Sequence, residues 1–161
     1  MQLRELQKKD AKYMLEWMHD ENVNSYLGKD FRHMTLEQCE EFILHSTLEQ
    51  DINKHYAIAD ASDEYIGTIS LKNIDREVGH AEYAISCRTK AMGKGYAKEA
   101  TEELFRIAKE KMGLSLIYLN VYDFNVRAQK LYLKVGFEQI SKPDFIHEEC
   151  DERLLWFQKK L

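Results

Sequence analysis

The chain has 161 residues, of which 44% are apolar and 32% charged, and its formal net charge at pH 7 is −5. This composition is typical of a globular protein, and the length is sufficient for one domain with its own core. The negative charge argues against a general nucleic-acid-binding protein, and no apolar run is long enough to cross a membrane.

A strand and two helices are predicted for the first third of the chain. The strand covers residues 2–6, and an amphipathic helix follows from Asp10, which can serve as its N-cap. Residues 21–34 are predicted to be irregular. Thr35 and Gln38 have the spacing of a capping box and open the second helix. The apolar stripe of this helix consists of Leu36, Cys39, Ile43 and Leu48.

Three strands are predicted next. Residues 55–59 and 65–74 form a hairpin around the polar turn at residues 60–63. The third strand ends near Cys87 and leads into a turn with two glycines and then into a long helix. That helix ends before Gly113, because glycine is favoured just after a helix C-terminus.

The last third of the chain returns to the sheet. Residues 114–122 are apolar on both faces, which indicates a central strand that is covered on both sides. Asn125 caps another helix, which ends at Gly136, and residues 137–140 and 153–158 form two closing strands. The resulting order, β-α-α-β-β-β-α-β-α-β-β, predicts an α/β fold with a strand–helix–strand crossover in the middle of the sheet.

Residues 78–100 combine a strand, a basic turn with Gly93 and Gly95, and the start of a helix. The first N–H groups of a helix have no partner within it, and the helix dipole favours negative charge there. The turn therefore predicts a phosphate-binding site. The sequence has no GxxxxGKS/T loop, and Lys98 stands where a dinucleotide-binding fingerprint requires a small residue. The alternative is an ordinary β–α turn, in which the glycines only allow the backbone conformation and bind no ligand.

Two motifs identify this site by resemblance. Lys90-Ala-Met-Gly93-Lys-Gly95 resembles the Q/R-x-x-G-x-G/A motif of the GNAT acetyltransferase superfamily, whose loop amides hold the pyrophosphate of acetyl-CoA. Asn125-Val-Arg-Ala-Gln-Lys-Leu-Tyr132-Leu-Lys-Val-Gly136-Phe137 is similar to the family's N-x-x-A-x-x-x-Y-x-K-x-G-F run. The N-terminal part resembles the ribosomal-protein and spermidine acetyltransferase branches. Lys90 departs from the family's Gln or Arg, and Asn120 replaces the Glu of the peptide N-terminal acetyltransferases.

The resemblance implies a GNAT fold, with a mixed central sheet of about seven strands flanked by about four helices. It also implies an enzyme that moves acetyl from acetyl-CoA to a primary amine by direct attack, without a metal. In the family, the pantetheine arm runs along one strand like an additional strand, and that strand separates from its neighbour to open a cleft. The cofactor-binding residues carried over are Ile85, Ser86, Cys87, Lys90, Met92, Gly93, Lys94, Gly95, Tyr96, Ala97, Asn125 and Lys130.

The resemblance also implies two catalytic residues. Tyr132 matches the family's general acid, which protonates the departing thiolate. The alternative role for Tyr132 is a half-buried core residue on its helix. Glu82 matches an acidic position of the ribosomal-protein-like branch and is the candidate base, directly or through water. The alternatives are that Glu82 is a surface carboxylate, or that a water chain replaces a dedicated base. His80 would share the face of Glu82 on a regular strand.

The acceptor class stays open between a small amine, such as a polyamine or amino sugar, and a protein N-terminus. Asn120 in place of Glu favours the small amine. The alternative from another class is a non-catalytic acyl-CoA-binding module on the same fold. The acidic segment 147–152 lacks the ligand spacing of a zinc site. Candidates for one wall of the acceptor site are Trp17, Tyr26, Phe31 and His33.

The remaining expectations concern compartment and assembly. Cys39, Cys87 and Cys150 are odd in number without a CxxC pair, and the first ten residues have no signal-peptide core. This cysteine usage is typical of reducing compartments. We therefore expect a cytoplasmic protein whose residues 1–161 form a single domain, with neither nucleic acid nor membrane as a partner. A homodimer is compatible with the sequence.

Overall fold

Seven strands form one mixed sheet in the computed structural model, which describes residues 1–48 and 50–161. The strands are β1 (Gln2–Glu5), β2 (Lys54–Ala59), β3 (Tyr65–Asp75), β4 (His80–Cys87), β5 (Leu116–Tyr122), β6 (Glu138–Ile140) and β7 (Leu154–Lys160). The helices are α1 (Ala11–Met18), α2 (Glu21–Asn24), α3 (Leu36–Leu48), α4 (Tyr96–Glu110) and α5 (Val126–Lys134). None of these helices, within the described residues, is long and apolar enough to cross a membrane.

The strand order across the sheet is β1-β2-β3-β4-β5-β7-β6. Every neighbouring pair is antiparallel except β4 and β5, which are parallel because α4 carries the chain back between them. The predicted α/β fold with a crossover in the middle of a mixed sheet is therefore confirmed.

Two apolar cores cover the two faces of the sheet. The larger one includes Leu104 of α4 and Tyr132 of α5, and the smaller one includes Met14 of α1. Ala57 and Ile58 are neighbours on β2 but belong to different cores. Because successive side chains of a strand point to opposite faces, the two cores lie on opposite sides of the sheet.

The first two helical regions differ in part from the prediction. The segment predicted to be irregular begins with the one-turn helix α2, because the Asp20 side chain accepts a hydrogen bond from Asn22 N at 3.0 Å and caps it. The capping box of α3 is confirmed, since Gln38 N donates to Thr35 Oγ1 at 3.2 Å and Thr35 N donates to Gln38 Oε1 at 2.9 Å.

The predicted apolar stripe of α3 is only half correct. Cys39 and Ile43 are buried, whereas Leu36 and Leu48 are 44% and 71% exposed. Helix α1, on which α3 packs, has 8 residues against 13 in α3. Because α1 is shorter, it covers the middle of α3 and leaves both ends of the longer helix uncovered.

Arg88 ties the end of β4 to two other elements. Its guanidinium binds both carboxylate oxygens of Glu16, at 2.6 and 3.0 Å, and it also donates to Glu64 Oε2 at 3.0 Å and to Tyr65 O at 2.8 Å. The same group lies 4.2 Å from the centre of the Tyr13 ring. Arg88 is only 5% exposed, so these contacts replace nearly all of its hydration and fix where β4 ends.

We expect Arg88→Met to lower the free energy of unfolding by about 2–3 kcal/mol, because it leaves the carboxylates and a carbonyl without their shared donor. Chemical denaturation measures the loss. Arg106→Met is the matched control: Arg106 also binds two carboxylates, of Glu103 and Glu110, but is 43% exposed. The control substitution should lower the free energy of unfolding by less than about 1 kcal/mol. Equal losses in the two variants would contradict the role assigned to burial.

Candidate functional site

Strands β4 and β5 separate in the middle of the sheet. Their parallel pairing covers only His80 with Leu116, Ala81 with Ile117, and Glu82 with Tyr118. Beyond these pairs, β4 stays bonded to β3 as far as Cys87, and β5 stays bonded to β7 as far as Tyr122. The two strands therefore diverge after Glu82, and the separation implied by the family resemblance is present.

A pocket of about 780 Å³ occupies this gap. Its wall is built by the second half of β4, the glycine turn, the start of α5, the end of β5 and the segment 23–31. It contains the two predicted catalytic residues, Glu82 and Tyr132. Of the predicted cofactor-binding residues, the pocket is lined by Ile85, Ser86, Cys87, Met92, Gly93, Gly95, Tyr96, Ala97, Asn125 and Lys130.

Within the described residues, the edge of β4 that faces the gap has no strand beside it from residue 83 to residue 87. Backbone N–H and C=O groups along this edge are thus available to an extended ligand, as on any unpaired strand edge. Gly67 lets β3 approach closely here, because a Cβ at this position would lie 2.7 Å from Ser86 O and 2.9 Å from Cys87 Sγ. The geometry suits a linear ligand that adds itself to β4.

The turn before α4 presents free amides to the pocket. Gly93 and Gly95 have φ of 76° and 84°, in the left-handed region that favours glycine, and Gly95 is the N-cap residue of α4. Because glycine has no side chain, it leaves the first N–H groups of α4 uncapped and open to an anion. Lys98, one turn into the helix, also lines the pocket.

Two predicted cofactor-binding lysines lie outside the lining of the pocket. Lys90 Nζ binds Glu64 Oε2 at 2.6 Å, and Lys90 together with Arg88 lowers the pKa of Glu64 to about 2. Lys94, in the same turn, is likewise not among the lining residues. Contacts of these two residues with a cofactor stay predictions.

Tyr132 is held by aromatic packing on the α5 side of the gap. Its ring lies 5.7 Å, centre to centre, from both Tyr83 and Phe137, at steep angles. Within the described residues the Tyr132 hydroxyl makes no hydrogen bond. Every fully buried side-chain N or O atom among these residues does have a hydrogen-bond partner, so the Tyr132 hydroxyl is not fully buried and is accessible from the pocket. Burial raises the pKa of Tyr132 well above the usual value for tyrosine, which keeps the phenol protonated.

Glu82 lies on the other side of the gap, on the face of the sheet that carries α1 and α3. Its paired neighbours, Lys72 on β3 and Tyr118 on β5, share this face because residues directly opposite on paired strands point the same way. The Glu82 side chain is 18% exposed and lies 3.5 Å from Lys72 Nζ. A carboxylate and a protonated phenol thus approach one pocket from opposite faces.

Two of the four candidates for the acceptor wall line the pocket, namely Tyr26 and Phe31. Their contact with an acceptor stays a prediction. Trp17 instead belongs to the smaller core, where its indole N–H donates to Tyr65 Oη at 2.9 Å, and His33 is exposed outside the lining. The helical spacing of Trp17 is equally consistent with this core position.

The sequence pattern does not identify an aromatic pair next to the pocket, of which Tyr122 lines the pocket. Tyr122 and Phe124 stack with ring centres 4.9 Å apart and planes 14° apart. A Cβ on Gly28 would lie 3.3 Å from the Tyr122 hydroxyl, so the segment before α3 closes against β5 at this point. The strand pattern of residues 114–122 could not reveal this contact, because it joins residues distant in sequence.

The loop between β6 and β7 contacts the paired ends of β4 and β5 through Phe145. Phe145 packs on His80 at 5.3 Å and on Tyr118 at 5.0 Å, centre to centre. The loop also contains the acidic segment 147–152. Burial, Glu82 and Glu148 together raise the pKa of Tyr118 to about 12. Phe145, His80 and Tyr118 thus lie together at the end of the gap where β4 and β5 are still paired, outside the residues that line the pocket.

Comparisons with known proteins agree with this geometry. A sequence model of the family described as Acetyltransferase (GNAT) domain matches residues 1–138. The chain is 27% identical over 139 residues to an N-acetyltransferase named p20 of Bacillus licheniformis, covering 85% of this chain and 78% of the relative. It is 24% identical over 135 residues to a spermidine N(1)-acetyltransferase of Vibrio cholerae, covering 84% and 77%.

A solved structure shows the same fold. The crystal structure of spermidine N-acetyltransferase from Vibrio cholerae in complex with CoA and spermine superposes with a TM-score of 0.82 at 22% identity. The match covers 99% of this chain and 94% of that one.

We expect Gly95→Ala to weaken the binding of acetyl-CoA at least about tenfold, because a left-handed alanine costs roughly 1–2 kcal/mol and distorts the amide cradle. Isothermal titration calorimetry measures the affinity. Gly113→Ala is the matched control, since Gly113 also has a positive φ of 67° and open space around it, but follows α4 rather than precedes it. Both variants should lose similar thermal stability, and only Gly95→Ala should lose affinity. Equal affinity in the two would contradict the assignment of the cradle.

Proposed function

Because the chain belongs to the GNAT acetyltransferase family and is thus an acetyl-CoA-dependent N-acetyltransferase, we propose that it acetylates the primary amine of a small molecule. We further propose Glu82 as the proton acceptor, Tyr132 as the proton donor, and the gap between β4 and β5 as the path of the acetyl-CoA arm. The observation that carries this proposal is the divergence of the two strands, which places all three features on one pocket.

The donor half of the pocket fits acetyl-CoA. The uncapped start of α4, with Lys98 and Lys130 beside it, supplies partial and full positive charge for the phosphates. The unpaired edge of β4 supplies hydrogen bonds for the amide-containing arm. One of its N–H groups would also stabilise the oxyanion of the attacked thioester.

The reaction needs three proton transfers, two from nitrogen and one to sulfur. The acceptor ammonium loses a proton to Glu82, directly or through water, and the resulting amine attacks the thioester carbonyl carbon. A C–N bond forms and the carbonyl electrons move to oxygen, which leaves the nitrogen with a positive charge. The electrons return, the C–S bond breaks, and Tyr132 donates its proton to the departing sulfur. The nitrogen gives its second proton through water to the Tyr132 phenolate, so that amide and free thiol leave, and Glu82 passes the released proton to solvent.

A close approach on the pocket wall favours a small amine over a protein N-terminus. Gly28 and Tyr122 both line the pocket, and a Cβ on Gly28 would lie 3.3 Å from the Tyr122 hydroxyl, so the segment before α3 narrows the pocket there. The relative that acts on spermidine supports a polyamine as the first acceptor to test. An acyl-CoA-binding module without catalysis would need neither a carboxylate nor a phenol on the pocket wall.

An acceptor panel tests the proposal. We expect release of free thiol from acetyl-CoA with spermidine, or with an amino sugar, and little release with peptides that carry the N-terminal sequences of ribosomal proteins. A thiol-reactive dye measures the rate, and mass spectrometry identifies the acetylated amine. Faster turnover of the peptides would contradict the assigned acceptor class. Binding of acetyl-CoA without turnover of any amine would indicate the binding module.

We expect Tyr132→Phe to lower kcat about 10²-fold or more, with acetyl-CoA affinity nearly unchanged, because only the proton donor is lost. In the wild type the donor must be protonated, and burial raises its pKa above the ordinary value of about 10. Turnover should therefore not decline on the alkaline side up to about pH 10. Tyr56→Phe is the control, because this phenol lies on β2 and is not among the residues that line the pocket. An alkaline decline near pH 8 would contradict the role of Tyr132.

A further inference from the structure

The register of β3 against β4 breaks beside Glu82. Lys72 pairs with Glu82, but the next pair is Asp75 with His80, so Asn73 and Ile74 together face the single residue Ala81. This is a β-bulge, with one extra residue on β3. Asn73 has φ of 50°, a left-handed conformation that asparagine tolerates better than most residues.

Contacts from the segment before β2 hold the bulge in place. Asn73 N donates to Asn53 Oδ1 at 3.1 Å, and Ile74 N donates to Ile52 O at 2.8 Å. The Ile74 side chain is buried in the larger core. The conformation of the bulge is therefore fixed both by backbone hydrogen bonds and by the burial of Ile74.

The bulge changes which side chains can reach Glu82. On a regular strand, neighbours point to opposite faces, so Lys72 and the next residue could not contact the same group. Here Lys72 Nζ lies 3.5 Å, and Asn73 Nδ2 3.2 Å, from the same oxygen, Glu82 Oε2. Within the described residues, Oε1 has no donor, and Glu82 lines the pocket.

We infer that Asn73 is a positioning residue, which together with Lys72 holds Glu82 Oε2 and so presents Oε1 to the acceptor amine. This inference rests on the proposed function of Glu82. Two donors on one oxygen fix the rotation of the carboxylate. The bulge thus serves the reaction through Glu82, without contact between Asn73 and the acceptor.

Other charged and titratable groups face Glu82 and must be held constant in a test. Lys72 lies on β3, and Tyr118 on β5, with Glu148 of the β6–β7 loop near it. His80 lies on the same face of β4, and His55 on β2 is close enough to Lys72 that burial and this charge lower the pKa of His55 to about 4. Substitution of Asn73 alone leaves all five groups in place.

Two variants separate positioning from a purely structural role. Asn73→Gly keeps the left-handed backbone and removes the amide, and Asn73→Asp keeps the shape and replaces the donor with a second carboxylate. We expect the Glu82 carboxyl carbon signal in NMR, assigned by its loss in Glu82→Gln, to change its chemical shift at neutral pH in both variants, because the contact of Asn73 Nδ2 with Glu82 Oε2 is lost. We expect kcat to fall about tenfold in Asn73→Gly, with the affinity for acetyl-CoA unchanged.

Asp63→Gly is the matched control, because Asp63 also has a positive φ, 64°, but binds Arg4 and Lys9 away from the pocket. It should lower the melting temperature and leave the Glu82 signal and kcat unchanged. An unmoved Glu82 signal in Asn73→Asp would overturn the inference. Full turnover in Glu82→Gln would instead overturn the proposed base, and the NMR signal of Glu82 would still decide whether Asn73 holds this carboxylate.

Discussion

The divergence of β4 from β5 is the constraint on which the site depends. A sheet resists such a gap, because each lost pair leaves backbone N–H and C=O groups without partners. Here both strands keep their outer neighbours, β3 and β7, so only the inner edges are left open. Arg88 then fixes the end of β4 to α1 and to the β2–β3 turn, which prevents the free edge from closing onto β5. The pocket thus lies where β4 and β5 would otherwise pair, and an extended ligand can form hydrogen bonds to the open strand edge there.

The two faces of the sheet contribute different residues to the pocket at this gap. The face that carries α4 and α5 supplies the amide cradle and Tyr132, within the larger core, where aromatic packing fixes the ring. The opposite face supplies Glu82, whose neighbours are polar and whose position depends on a bulge. The proposed proton donor and proton acceptor therefore lie on opposite faces of the sheet, and both reach the same pocket through the gap. This separation lets each group have its own electrostatic environment.

Features that depend on local sequence were predicted well, and features that join distant segments were not. Gly95 before α4, Asn125 before α5 and the capping box of α3 are signals within a few residues, and all three start their helices. The bulge at Asn73 was missed, because residues 65–74 have the composition of an uninterrupted strand. Lys90 was assigned to the cofactor from its place in a motif, whereas its ion pair with Glu64 depends on a turn 26 residues earlier.

Cys87 gives the site a chemical property of its own. Its thiol lies on the wall of the pocket, at the end of the free edge. Burial raises the pKa of Cys87 to about 12, so almost no thiolate exists at neutral pH. A protonated thiol is a poor nucleophile, so Cys87 is not suited to take up the acetyl group itself. For the proposed direct transfer, donor and acceptor are bound together, and the expected kinetics are those of a ternary complex rather than of an acylated enzyme that exchanges substrates in turn.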